Sequence, residues 1–233
     1  MTPPALLAVA HGSPDERAER VLETLVARVG AERTGVQTVL AHLGHTRPDV
    51  PSAVAALFAQ GVRDIVVVPL LLTSAYHAKV DLPRLLAQAA LDNPGVRLTQ
   101  ADVLGPHPLL FELLRRRLAE GGADPSTSVV LGAVGTSDAA ANAELADVAA
   151  TIGASIGFAT GSPDIAEVVD GLRARGSRQI AIASYVLAPG TLPDRFATTN
   201  ADIVTRPLGA EPEVVDVVLE RYDAALIRDQ AAV

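Results

Sequence analysis

Asp64-Ile65-Val66-Val67-Val68-Pro69-Leu70-Leu71-Leu72 is the stretch that decides the fold. Aliphatic side chains follow one another here without polar alternation. That is the pattern of a strand buried on both faces, as in parallel sheets covered by helices. Pro69 cannot donate to a sheet ladder, so it marks a bulge or the strand's end and re-aims the loop that follows. Toward the N-terminus the chain reads as a helix over 49–60 closed by Gly61, and a strand over 36–43. Before these, Ser13-Pro14-Asp15-Glu16 opens a helix, with Ser13 as N-cap, proline at the first position and glutamate at the third. That helix places Val21, Leu22, Leu25, Val26 and Val29 on one face and is expected to stop at Gly30. It follows an apolar strand over 5–10 that ends at His11-Gly12. Toward the C-terminus come a loop over 73–81, a helix over 82–91, a strand over 96–104 and a helix over 108–119.

The small, polar segment 121–128 reads as a linker, after which the same order returns. Strands are expected over 128–134, 156–160, 179–187 and 201–208. Helices open at Gly135-Thr136-Ser137-Asp138 and Ser162-Pro163-Asp164, and a last one runs over 212–227. Ala10-His11-Gly12-Ser13-Pro14-Asp15 matches Ala133-Val134-Gly135-Thr136-Ser137-Asp138. Ala101-Asp102-Val103 matches Ala201-Asp202-Ile203, and Leu104-Gly105-Pro106-His107-Pro108 matches Leu208-Gly209-Ala210-Glu211-Pro212. The fold class is therefore α/β with an internal duplication: two similar doubly wound domains, 1–122 and 123–233, each a four-stranded parallel sheet flanked by helices. Ligands of such sheets bind beyond the carboxyl ends of the strands. In the first half this points to the loops 11–14, 43–49, 73–81 and 105–108.

The 233 residues suffice for a sizeable core, and 49% of them are hydrophobic. The net charge of −8, a pI near 5.1 and 3% aromatic residues argue against a nucleic-acid partner. The absence of cysteine excludes disulfides, thiolate metal sites, iron–sulfur clusters and thiol nucleophiles, so any metal must be held by nitrogen or oxygen. The apolar N-terminal segment is too short for a signal sequence and no stretch is long enough to span a membrane, so a cytoplasmic protein is the expectation. With neither G-x-G-x-x-G nor a P-loop in the sequence, no nucleotide or redox cofactor is expected.

All five histidines, His11, His42, His45, His77 and His107, lie in the first half, and Val134 and Glu211 stand where the duplication would place two more. His11 ends the first strand and His77 lies in the loop after the third. Strands one and three are commonly neighbours in doubly wound sheets, so both imidazoles can face one cleft. Neutral imidazole is a ligand for divalent first-row metals and a base near neutral pH. Gly12 and Ser13 offer free N–H groups to an anion, and Ser13 also serves as a helix cap. Asp81 before Leu82-Pro83 reads as helix initiation, His107 as a cap, and Arg115-Arg116-Arg117 as a solvated face. A Ser–His–Asp hydrolase is disfavoured because Ser13 lacks the G-x-S-x-G elbow.

Ala-His-Gly-Ser at 10–13 after an apolar strand resembles the opening of the class II tetrapyrrole chelatases, the sirohydrochlorin cobalt- and ferrochelatases. Val66-Val67-Val68-Pro69-Leu70-Leu71-Leu72, then Ser74-Ala75-Tyr76-His77, then Asp81-Leu82-Pro83, is similar to that family's second signature. The resemblance spans the whole chain and points to the long, internally duplicated form. It implies a lyase that inserts a divalent metal (Fe2+, Co2+ or Ni2+), taken as substrate, into a sirohydrochlorin-type tetrapyrrole for sirohaem or cobalamin biosynthesis. It also implies that His11 and His77 bind the metal and accept protons. Many members carry a carboxylate near the position of Gly44. Its absence here makes His45 the candidate third ligand, with His42 also nearby. Gly12, Ser13, Ser74, Tyr76, Arg47 and Lys79 are candidate substrate contacts, and Arg84 and Arg195 further cations for a carboxylate-rich ring. A tyrosine precedes the second histidine where members often have glycine. A non-catalytic metal or tetrapyrrole carrier on the same fold is the alternative, and both a monomer and a homodimer remain open.

Overall fold

A computed structural model describes residues 3–231 of the chain, so residues 1 and 2 of the first expected domain and 232 and 233 of the second lie outside the described residues. The elements are β1 (Ala5–Ala10), α1 (Glu16–Glu32), β2 (Thr38–His42), α2 (Val50–Ala59), β3 (Asp64–Pro69), a π-helical turn His77–Asp81, α3 (Leu82–Asp92), β4 (Arg97–Gln100) and α4 (Pro108–Glu120). After these come β5 (Ser128–Ala133), α5 (Ala139–Thr151), β6 (Ser155–Phe158), α6 (Ile165–Ala174), β7 (Ile180–Ser184), a 3-10 turn Pro193–Thr198, β8 (Ile203–Val204) and α7 (Pro212–Ala231). Among the described residues no helix is long and apolar enough to cross a membrane.

Two wholly parallel four-stranded sheets result, in the orders β2-β1-β3-β4 and β6-β5-β7-β8. All six residues of β1 are buried, as its unbroken apolar run requires of a strand covered on both faces. The central β3 is buried from Ile65 onward and ends at Pro69, beside Val9 of β1. Proline thus marks a strand end, after which Leu70 N–H donates to the Val9 carbonyl at 2.7 Å. In the first sheet the chain steps from β1 to β2 on one side and then crosses back to β3 on the other. The switch point beyond Ala10 and Pro69 is where open α/β sheets place ligands.

The chain forms two compact units, cut differently from the expected boundary at residue 122. One unit runs to Gly105 and resumes at Ala210, and the other is Pro106–Gly209. In the first unit α7 packs on β3, β4 and α1; in the second, α4 packs on β7. Each sheet is therefore covered by the helix that closes the other repeat. The expected boundary divides the sequence repeat, whereas packing divides the chain inside it. An amphipathic helix shows that it covers a sheet, but not which one.

Local readings shift in three places. Asp15, not Ser13, caps α1: its carboxylate accepts from Arg17 N–H at 2.9 Å, while Ser13 Oγ accepts from Asp15 N–H at 3.1 Å. The helix continues through Gly30 to Glu32, since the missing side chain lets Thr38 approach; a Cβ on Gly30 would lie 2.6 Å from Thr38 Oγ1. The reading of Arg115-Arg116-Arg117 as a solvated face fails at Arg117, which is buried with Glu120 3.8 Å away; Arg115 is exposed and bonds the Thr151 carbonyl, and Arg116 bonds Glu120.

The repeat holds in three dimensions with one correction. Gly12 and Gly135 both have φ 87°. A Cβ on either would strike the carbonyl oxygen of the next loop, Gly44 at 1.8 Å or Thr160 at 2.3 Å. The match of 104–108 to 208–212 is upheld by Leu104 N–H donating to Leu71 and Leu208 N–H to Val186. The match of 101–103 to 201–203 is four residues out of register. Ala101 N–H bonds the Val67 carbonyl and Thr205 N–H the Ile182 carbonyl, and these two carbonyls sit beside the equivalent residues Leu7 and Val130. Ala-Asp before an aliphatic residue is too short a match to fix register.

Candidate functional site

His11 follows the last residue of β1 and is exposed. The turn after it is held by two backbone bonds: Leu43 N–H to Ala10 and Gly44 N–H to His11. Only glycine fits at position 12, because the φ of 87° disfavours a side chain and the Gly44 carbonyl occupies the space for one. Thr46 Oγ1 completes a clasp, donating to the Ser13 carbonyl at 3.0 Å and accepting from Ser13 N–H at 3.2 Å. Ser13 N–H is thereby satisfied by Thr46 rather than left open for an anion.

His77 opens the π-helical turn, and its carbonyl accepts from Leu82 N–H. Gln100 at the end of β4 holds the turn from beneath, donating to the Ala78 carbonyl at 3.0 Å. Single π-helical turns recur at functional sites. Across the switch point His77 meets His11: the two Nε2 atoms are 3.1 Å apart and the rings stand nearly perpendicular, at 81°. The expected pairing of the histidines at the ends of strands one and three is what the geometry shows.

The other ring nitrogens decide what this contact is. His77 Nδ1 lies 3.3 Å from Asp81 Oδ2, and His11 Nδ1 3.1 Å from the Gly12 carbonyl. A carboxylate and a carbonyl can only accept, so in both rings Nδ1 carries the proton. In its neutral form each ring then has Nε2 as the acceptor, and it is these two nitrogens that face one another. Without an ion, a proton on one Nε2 joins the pair as an N–H···N hydrogen bond at 3.1 Å; a bound ion would take that proton's place.

Asp81 departs from its sequence reading. It has helical backbone angles and makes no side-chain cap to α3; its carboxylate contacts His77 and, at 3.2 Å, Arg84. Burial pushes this carboxyl's pKa up, but the hydrogen bonds from Arg84 and His77 outweigh that and hold it below the ordinary carboxylate value. The four-residue spacing of His77 and Asp81 was the available signal, masked by the reading of Asp-Leu-Pro as a helix start.

His45 is exposed and stacks on His11 with ring centroids 5.9 Å apart and planes at 27°. Among the described residues no three histidine or carboxylate side chains are gathered into a group that could hold a metal, so the structure brings together two imidazole donors with a third ring beside them. Among non-glycine residues described, His45 alone has positive φ, at 63°. At the same place after the clasped carbonyl, the second half has Gly161, at φ 97°.

His42 is wholly buried, with Nδ1 3.3 Å from the Pro48 carbonyl and Nε2 3.1 Å from a Glu19 carboxylate oxygen. It ties the loop bearing His45 to α1. His42→Ala is expected to cost stability, about 1–3 kcal/mol for the lost polar contacts, and to leave the His11–His77 contact intact. A thermal melt and a metal titration would read the two separately. His107 caps α4 through Nδ1, which accepts from Leu109 N–H at 3.3 Å.

The arginines among the candidate cations are engaged. Arg47 pairs with Asp49, Arg84 with Asp81, and Arg195 with Asp164 and the Ala159 carbonyl. Lys79 is exposed on the π-helical turn. Ser74 is half-buried before the turn, and Tyr76 presents an exposed ring edge-on to His77 at 5.8 Å.

The model of the CbiX family matches residues 5–121 and 128–225 of the chain. A sirohydrochlorin cobaltochelatase of Priestia megaterium is 28% identical over 207 residues, covering 82% of this chain and 67% of that protein. The chloroplastic sirohydrochlorin ferrochelatase of Arabidopsis thaliana is 32% identical over 126 residues, so that the match spans 51% of this chain and little more than half, 56%, of that relative's length. Among solved structures, SirB from Bacillus subtilis with Fe3+ superposes with a TM-score of 0.85 at 23% identity, covering 98% of this chain and 97% of that one. That likeness speaks to the fold.

Proposed function

The chain belongs to the CbiX family, whose model spans both of its halves, and on that footing we propose that it is a sirohydrochlorin chelatase. Its reaction is the exchange of two pyrrole protons of the macrocycle for one divalent ion, Fe2+ or Co2+. The product is sirohaem or a cobalt corrinoid precursor. The observation that carries this reading is the pair of Nε2 atoms 3.1 Å apart with both Nδ1 positions occupied.

The chemistry needs three things: the hydrated ion must shed water, two N–H protons must leave, and the ring must bend so that its nitrogens point at the metal. Two neutral imidazoles serve the first as ligands and the second as bases. In this reading the ion arrives on Nε2 of His11 and His77 and passes to the ring nitrogens. The freed imidazoles then take up the displaced protons, so metal and protons exchange at the same two atoms. Bending of the ring is favoured by a surface that fits the distorted form better than the flat one. Tyr76 and Gly12, which touch the pair, and Ser74 and Ser13 in the same two loops contact the macrocycle in this assignment. Lys79 and Arg47 meet its carboxylates, Arg47 by exchanging its partner Asp49.

In this reading His45, whose ring lies beside His11, is the candidate third donor and would have to turn toward the pair to reach a shared ion. A left-handed backbone costs a non-glycine residue roughly 1–2 kcal/mol, and strain of this kind gathers at functional positions. Glycine serves at the equivalent place in the half that has no imidazole pair. His45→Gly is therefore expected to raise the unfolding midpoint by a few degrees, about 1 kcal/mol for a chain of this size, while Co2+ affinity falls by roughly tenfold. Unchanged affinity would remove His45 from the ligand set.

The deciding test is an anaerobic absorbance assay with sirohydrochlorin and Fe2+, Co2+, Ni2+ or no metal, each against the non-enzymatic rate. Acceleration with Fe2+ or Co2+ supports the chelatase. Spectral binding without acceleration would favour a carrier, and no binding would refute both.

A further inference from the structure

We propose that Asp81 is a positioning residue for His77, and that Arg84 in turn holds Asp81. The carboxylate keeps the imidazole in the Nδ1-protonated form and turned so that Nε2 faces His11. The inference rests on the reading of His11 and His77 as the metal-receiving pair.

Three observations carry it. First, Asp81 stands at the start of α3, where an aspartate ordinarily caps, yet it makes no cap bond. One carboxylate oxygen is 3.3 Å from His77 Nδ1 and the other 3.2 Å from Arg84. Second, the backbone between the two residues is the π-helical turn itself, with the Ala78 carbonyl anchored by Gln100, so both ends of the contact sit on a braced segment. Third, Asp81 is the least exposed of the three, at 21%, and lies between Arg84 at 69% and His77 at 43%. The other contact of His77, Nε2 to His11 Nε2, can be made with the proton on either ring, so it does not fix the tautomer by itself. Neutral imidazole can carry its proton on either nitrogen, and with the proton on Nε2 the ring presents hydrogen instead of a lone pair to an incoming ion. A carboxylate at Nδ1 removes that form, fixes the ring's rotation and makes Nε2 a better donor. His11, whose Nδ1 faces only a backbone carbonyl, is held by a neutral acceptor, so the two donors of the pair are unequal, with His77 the stronger.

The test uses the full-length protein, metal-free for spectroscopy and titrated with Co2+ alone for affinity. In the wild type, imidazole 15N shifts should show His77 protonated at Nδ1. Asp81→Ala is expected to convert His77 to a mixture of tautomers and to raise the Kd for Co2+ by about 10–100-fold, with little change in unfolding midpoint because no cap is lost. Asp81→Asn keeps an accepting oxygen but no charge. It should retain the Nδ1–H form with a smaller loss of affinity, and it carries the test if the alanine variant does not fold. In a His77→Ala background, Asp81→Ala should add nothing. Wild-type Kd in both Asp81 variants, alongside lost binding in His77→Ala, would overturn the positioning role and leave the metal pair standing. Additive losses in the double variant would likewise overturn it. Wild-type Co2+ binding in His11→Ala and His77→Ala would instead overturn the metal reading beneath it.

Discussion

Replacing either His11 or His77 by alanine is expected to bring metal insertion down toward the uncatalysed rate, a loss on the order of 10²–10⁴-fold, with the fold intact. The size follows from what is removed. Each imidazole is one of two donors converging on one point, and each is in this reading both ligand and proton acceptor, so its loss removes two contributions at once. The fold survives because His11 is exposed and His77 is only half-buried, and surface changes away from core contacts usually move stability within about 0.5 kcal/mol. The two losses should not multiply: a lone imidazole gains little over none, so the double variant should be barely slower than either single one. The anaerobic absorbance assay measures the rate and circular dichroism the fold. A single variant at wild-type rate would end the assignment.

The second large effect concerns stability. A chain ending at Gly209 is expected to lose the cooperative unfolding of the first unit, although it retains every strand of that unit's sheet. α7 buries Val214, Val215, Val217, Val218 and Tyr222 there, and the Tyr222 hydroxyl donates to the Pro4 carbonyl at 2.6 Å. Burial of such side chains contributes about 1.5–3 kcal/mol each, on the order of 10 kcal/mol together, which matches the whole stability of a typical domain. The second unit keeps α4, with Leu110, Leu113 and Leu114 buried, and is expected to keep its own transition. Calorimetry of the truncated chain should therefore show one transition retained and one lost. Two unchanged transitions would mean that α7 contributes little.

Much of the fold was legible because burial leaves a direct mark on strands. Ala5–Ala10 is recovered to the residue, since its apolar run ends where the chain leaves the sheet at His11. The neighbouring positions of β1 and β3 followed from the general behaviour of doubly wound sheets, and with them the meeting of His11 and His77. What escaped was whatever depends on choosing between equivalent partners. Ser13 and Asp15 can both cap a helix, and only the path of the Gly12 turn gives the cap to Asp15. Asp81 in front of Leu82-Pro83 suits a helix start, and only the π-helical turn swings its carboxylate to His77 instead. His42 looked like a companion of the site. Its burial against Glu19 and Pro48 follows from the inward direction of its side chain at the end of β2, which a histidine at a strand end leaves open. α4 and α7 carry apolar stripes that either sheet could accept, so their exchange could not be read from periodicity.

That exchange also bears on the order in which the protein can assemble as it is made. Domains commonly fold in turn from the N-terminus during synthesis. Here the unit begun second occupies one unbroken stretch, Pro106–Gly209, and has all its parts first. The unit begun first, bearing His11, His45 and His77, waits for the residues after Ala210. Its four strands are made and still uncovered by α7 while more than a hundred further residues are added, since the helix that completes their cover follows Gly209. The half that carries the chemistry is thus started first and closed last.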